Sequence, residues 1–159
     1  MIDAILNAAP AWALSHAAPL LIMVPLFLAP LLALVPTGRI AWIISIAATG
    51  ISFLFALILL GLVQTSPIGV VSYEVGRWPV PLGIELRVDA LNAMILLIVT
   101  TIGLLSSIFS WPTVVAEIPK QKRALFYSAF LVCFAGLNGV AITGDAFNLF
   151  VFLEISSIS

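Results

Sequence analysis

Four apolar runs, each close to the length of a membrane crossing, restrict this chain more than any other feature. They cover roughly Ala18 to Val35, Ile40 to about Val63, Asp89 to Ser110 and Ala124 to Thr143, and a fifth opens at Gly144 and Asp145. About 20 apolar residues in a helix rising about 1.5 Å per residue cross the hydrocarbon of a bilayer. The balance of residues agrees: 63% are hydrophobic and 8% charged, where soluble domains carry about 25% charge. The expected fold is an all-α membrane protein of four transmembrane helices plus the start of a fifth. Pro25 and Pro30 fall inside the first run, where a bend or irregular turn is expected and neighbours must satisfy the freed carbonyls.

Other classes drop out quickly. A net charge of -1 offers no surface for nucleic acid. The single cysteine, Cys133, lies in an apolar run and excludes a disulfide within the chain. The N-terminal stretch has no basic region ahead of its apolar run, so a secretory signal peptide is not expected. There is no glycine-rich phosphate loop, no Cys/His metal spacing and no haem motif, and His16 stands alone. No cofactor, metal site or covalent catalysis is expected.

The basic residues set an expected orientation. Arg39 lies between the first and second runs, and Lys120, Lys122 and Arg123 lie in "WPTVVAEIPKQKR" between the third and fourth. Two crossings separate these loops, so they share a side. The other side has Arg77 and Arg87 offset by Glu74, Glu85 and Asp89. Cytoplasmic loops collect Lys and Arg. The N-terminus is therefore expected outside and the Lys-rich loop inside, with Trp42 and Trp111 at the cytoplasmic interface. Residues 64–88 are the one substantial extramembrane piece. "VVSYEV" and "IELRV" alternate in strand fashion around "GRWPVPLG", which predicts an extracytoplasmic β-hairpin with a long turn. Pro79 and Pro81 should keep that turn out of a sheet. The hairpin is read either as a clamp on loops of this or a neighbouring subunit or as a simple cap on the bundle.

Of the six basic and seven acidic side chains, only Glu154 falls inside an apolar helix. It lies about 13–14 Å deeper than Asp145 along a helix, near the bilayer midplane. An acidic residue there costs about 2.5–3.5 kcal/mol even on permissive scales, so it should face protein or water and handle a proton or an ion. The alternative is a protonated carboxyl that only joins two helices. Ser157, one turn on, is a candidate support for the carboxyl, and Asp145 a second. Asp145 with Asn148, and Asp89 with Asn92, are more simply read as helix caps. Ser128, Cys133 and Asn138 are read as packing or interhelical hydrogen bonds, and Ala135 with Gly139 as a close helix contact.

The stretches "VGRWPVPLGIELRVDALNAMILLI" and "FAGLNGVAITGDAFNLFVFLEISSIS" resemble the D-type subunit of Mrp-type multisubunit Na+/H+ antiporters. They are also similar, more broadly, to the antiporter-like proton-pumping subunits of respiratory complex I and membrane-bound hydrogenases. The resemblance covers roughly Val75 to Ser159. It implies that Glu154 matches the family's fifth-helix glutamate, which belongs to a proton pathway and pairs with a lysine on the seventh helix. It implies a longer subunit with inverted repeats and broken helices, of which this chain would hold helices one to four and part of five. The stretch from Asp145 to Ser159 makes only about 22 Å of helix, so Ser159 is expected to be a break in that longer subunit.

Three readings follow. The first is the N-terminal part of a cation/proton antiporter subunit that contributes a proton-pathway glutamate and performs no covalent chemistry. The second is a membrane-arm subunit of a redox-driven pump of the complex I or hydrogenase kind. The third is a non-transporting structural segment. The expected partners are other subunits of such a complex, protons, monovalent cations and the lipid bilayer of the cell membrane.

Overall fold

A computed structural model describes residues 6–77 and 83–158. Asp3, Ser159 and the Trp78, Pro79 and Pro81 part of the expected turn lie outside the described residues. The short α1 (Ala11–Ser15) leads into α2 (Ala17–Ala33), α3 (Gly38–Thr65), the strands β1 (Val71–Glu74) and β2 (Glu85–Val88), α4 (Ala90–Glu117), α5 (Arg123–Ile142) and α6 (Ala146–Ile158). The two strands pair antiparallel, with Val71 opposite Val88 and Glu74 opposite Glu85.

Among the described residues, three helices are long and apolar enough to cross a membrane: α3, α4, and α5 with the short 3-10 turn that precedes it. At 17 residues α2 is a shorter apolar helix, as is α6 at 13. Three of the four expected crossings fall on these long helices, and the first falls on the shorter α2. The chain runs up and down, so neighbours in sequence lie antiparallel. α5 packs against α2, α3, α4 and α6 and forms the centre of the bundle. Two apolar clusters fill the interior. One joins Leu21, Phe55, Leu59, Leu86, Val88, Leu96 and Ile142 at the hairpin end; the other joins Leu32, Ala41, Val114, Tyr127 and Leu131 at the opposite end.

Local chemistry explains most boundaries. Asp89 caps α4 by accepting from the Asn92 N–H at 2.9 Å, while Asn92 Oδ1 accepts from the Asp89 N–H at 3.3 Å. This reciprocal box satisfies two donors at the helix start. α2 does not break at its prolines; it is helical through Pro25 and Pro30. Pro25 leaves the Leu21 carbonyl without its helical donor. The Ser52 hydroxyl of α3 donates to that carbonyl at 3.4 Å, the compensation that lets a proline sit in a buried helix.

α4 also outlasts expectation, passing Pro112 to end at Glu117 rather than Ser110, so Trp111–Glu117 belongs to a helix and not to the loop. Arg123 meets this helix end, its guanidinium donating to the carbonyls of Val115 at 2.9 Å and Ile118 at 3.0 Å. Trp42 and Trp111 meet at this same end with ring centroids 5.4 Å apart.

Candidate functional site

α6 starts from a cap and carries the glutamate. Asp145 Oδ1 accepts from the N–H groups of Phe147 at 2.7 Å and Asn148 at 3.1 Å, and Oδ2 accepts from the Asn148 side-chain amide. The Asn148 N–H and then the Asn148 amide hold the Asp145 carboxyl below the usual carboxylate range; partial burial opposes them and the Phe147 N–H adds to them. Asp145 is therefore engaged as a cap, and no contact joins it to Glu154.

Glu154 is exposed on α6, two turns and more beyond that cap. Its side chain lines an open cleft of about 580 Å³ between α2, α5 and α6, with Leu26, Ala129, Val132, Val151 and Ile155 as apolar walls. Glu154 is the one ionisable residue of that lining among the described residues. Among the described residues its carboxyl has no hydrogen-bond or ion-pair partner. Ser157, the candidate support one turn on, makes a different contact in this structure. Its hydroxyl donates instead to the backbone carbonyl of Glu154 at 3.1 Å, the back-bond open to any serine within a helix.

The height of Glu154 in the bundle follows from the α5–α6 contact. The two helices approach closely at glycines: a Cβ on Gly136 would press on the backbone of Phe152 and Ser156, and one on Gly139 on the Phe152 ring. Phe152 opposite Gly139 puts Glu154 level with the Gly136–Asn138 stretch, in the half of α5 nearer the hairpin. The spacing with Ala135 points to Gly139 but not to Gly136, for which a second glycine three residues away on the same helix is the signal in the sequence.

The hairpin is fastened to the base of this helix pair. Leu86 and Val88 of β2 are buried in the core, Leu86 bridges to Thr143, and the Gly144 N–H donates to the Glu85 carbonyl at 2.9 Å. Asn92 adds a bond from its side-chain amide to the Ala141 carbonyl at 2.6 Å. The hairpin thus clamps the α5–α6 junction of its own chain. It also holds the N-terminal segment, through a hydrogen-bonded pair of His16 Nδ1 and the Tyr73 hydroxyl at 3.1 Å.

No protein-family profile matches the sequence. Individual relatives do. The D-type subunit of the Na+/H+ antiporter of Bacillus subtilis is 34% identical over 139 residues, 87% of this chain and 27% of the relative. The N-type subunit of the NADH-quinone oxidoreductase of Desulforudis audaxviator is 42% identical over 87 residues, 55% of this chain and 17% of the relative. Among solved structures, a chain of the Mrp complex from a Dietzia species superposes with a TM-score of 0.76 at 28% identity, covering 91% of this chain and 26% of that one.

The chain is similar over most of its length to Mrp-type D subunits.

This antiporter-like chain spans about a quarter or less of the length of the curated relatives it matches. Beside the Glu154 cleft it has a polar interior. Ser45 and Ser107 share a hydrogen bond of 2.9 Å between α3 and α4, the Trp42 indole donates to the Ser107 carbonyl at 2.8 Å, and Ser128 of α5 donates to the Ala29 carbonyl of α2 at 2.7 Å. These bear out the interhelical reading of Ser128. The same reading does not extend to Asn138: the residue is fully buried, and neither Oδ1 nor Nδ2 has a partner among the described residues.

Proposed function

We propose that this chain forms the N-terminal part of a cation/proton antiporter subunit in a multisubunit membrane complex, with Glu154 as its proton-carrying group. The observation that carries the reading is the Glu154 carboxyl itself: unpaired among the described residues, well within the length of the helix bundle, and facing an open cleft with otherwise apolar walls. An ionisable side chain among apolar helices is costly in a bilayer and marks an ion or proton pathway more readily than a packing contact. The counter-charge comes from an element beyond α1–α6, since no described cation reaches the cleft. The name of the Bacillus subtilis relative supports antiport as the coupled process. The likeness to a chain of the Mrp complex supports other membrane subunits as partners.

The orientation belongs to the same proposal. Arg39, Lys120, Lys122 and Arg123 gather at the end opposite the hairpin, which supports a cytoplasmic Lys-rich loop with the hairpin and N-terminus outside.

A second reading has its own support. The higher identity is to a component of an NADH-quinone oxidoreductase, which favours a redox-driven pump in which partner subunits supply the energy. Glu154 would serve both, and the neighbouring genes separate them.

Proton flux through the intact, reconstituted complex tests the role of Glu154. Glu154→Gln keeps size and most hydrogen bonding but cannot release a proton. At matched complex levels it should lose most ion-coupled flux, with Glu154→Asp keeping part. Wild-type flux in Glu154→Gln would reduce Glu154 to a packing residue.

A further inference from the structure

Asn138 presents two donors and an acceptor to an interior where the protein has matched neither. Its surroundings can be read from the helix registers. Ser45 of α3 faces Ser107 of α4; seven residues on along α3 is Ser52, and seven back along α4 is Thr100. Gly103 of α4 faces Phe134 of α5; three residues back on α4 is Thr100 again, and four on along α5 is Asn138. Ser52, Thr100 and Asn138 therefore share one height on three helices that pack on one another, and all three are fully buried.

Both hydroxyls at this height already donate elsewhere. The Ser52 hydroxyl donates to the Leu21 carbonyl at 3.4 Å, and the Thr100 hydroxyl donates to the Leu96 carbonyl at 2.7 Å. Each hydroxyl oxygen keeps acceptor capacity, yet neither is bonded to the Asn138 amide. The Asn138 carbonyl thus needs a donor that neither hydroxyl gives, while its two N–H groups need acceptors. A monovalent cation would serve the carbonyl and leave both N–H groups stranded. Water serves both, since one molecule donates twice and accepts twice, and buried waters characteristically make about three hydrogen bonds to such orphaned groups.

We propose that Asn138, with Ser52 and Thr100, forms a water-binding site inside the α3–α4–α5 packing. The site is distinct from the Glu154 cleft. Nine residues separate Ala129, which lines the cleft, from Asn138, and nine residues is two and a half turns, so the two lie on opposite sides of α5. The helix pair therefore carries a carboxyl on one side and a hydrated amide on the other, at nearly the same height.

The test is a density map of the intact complex at a resolution that shows buried waters, for the wild type and for Asn138→Leu, which keeps the shape and removes the polar atoms. The expected result is density within hydrogen-bond distance of the Asn138 amide and of the Ser52 or Thr100 hydroxyl, lost in Asn138→Leu. Should the variant not assemble, the wild-type map decides. A dry layer in a map that shows waters elsewhere at this depth overturns the proposal. So does an Asn138 amide bonded directly to protein, density that survives in Asn138→Leu, or density that tracks the Na+ or K+ concentration.

Discussion

Adding one methyl group at Gly136 probes the contact that positions α6. A Cβ there would stand 2.8 Å from the Ser156 amide nitrogen and 2.9 Å from the Phe152 carbonyl oxygen. Both are backbone atoms, and neither can rotate away as a side chain would. Ordinary contact begins at 3.4 Å, so Gly136→Ala is about 0.6 Å too tight and α6 must move outward as a body. Overpacking of this kind costs about 1–3 kcal/mol. Alanine in place of helical glycine gives back about 0.8–1.0 kcal/mol of propensity, so the measured loss understates the clash. Gly50 on α3 supplies the correction, because its nearest atom, Leu104 Cδ1, would lie 3.9 Å from an added Cβ. Gly50→Ala takes the propensity gain without the clash, and the difference between the two variants isolates the overpacking of about 1–3 kcal/mol. Heat denaturation of the intact complex in detergent, followed by size-exclusion chromatography, reads the order. Gly136→Ala should denature below the wild type and Gly50→Ala at or above it. Equal behaviour of the two alanines would refute the backbone approach of α5 and α6, and with it the height assigned to Glu154.

Three further outcomes are expected. Asn92→Ala removes both one half of the α4 capping box and the bond to the Ala141 carbonyl, and should destabilise by about 1–2 kcal/mol in the same denaturation assay. The lowered pKa of Asp145 implies that its capping contribution is fully present above the ordinary aspartate range and is lost as pH falls through its lower folded value; the stability difference between wild type and Asp145→Asn should therefore shrink on acidification, and a difference independent of pH would contradict this. Single cysteines at Ser72 and Gln121 in a Cys133→Ser background should label from opposite sides of the membrane, with Ser72 reached from outside, and labelling of both from one side would overturn the proposed topology.

What the sequence exposes about the fold is its charge and its apolar length. The long helices, the Asp89 and Asp145 caps and the paired strands are legible from local chemistry, because each depends on residues within one turn or on a two-residue alternation. The fates of Pro25 and Pro112 are not. Whether a proline ends a helix depends on a donor for the carbonyls it frees or leaves beyond it, and those donors come from Ser52 on another helix and from Arg123 across a loop. Long-range partners of this kind leave no trace in the spacing around the proline itself. The hairpin's purpose is equally hidden, since its clamp is a backbone bond from Gly144 to Glu85, and backbone atoms are common to every residue.

The two polar residues within the bundle, Glu154 and Asn138, differ in how they reveal themselves. Glu154 stands out in sequence because a charge among apolar neighbours has no inexpensive structural explanation in a bilayer. Asn138 does not, because an amide in a membrane helix ordinarily finds a partner on the next helix. Only an inventory of donors and acceptors at its own height removes that explanation: Ser52 and Thr100 are beside it in register, but their protons are committed to carbonyls of α2 and α4. The serine that repairs the proline gap in α2 is thereby the same serine that cannot donate to Asn138. One hydroxyl thus links two features that look independent along the chain, and replacing Ser52 should disturb both the helix that borders the Glu154 cleft and the buried layer on the far side of α5.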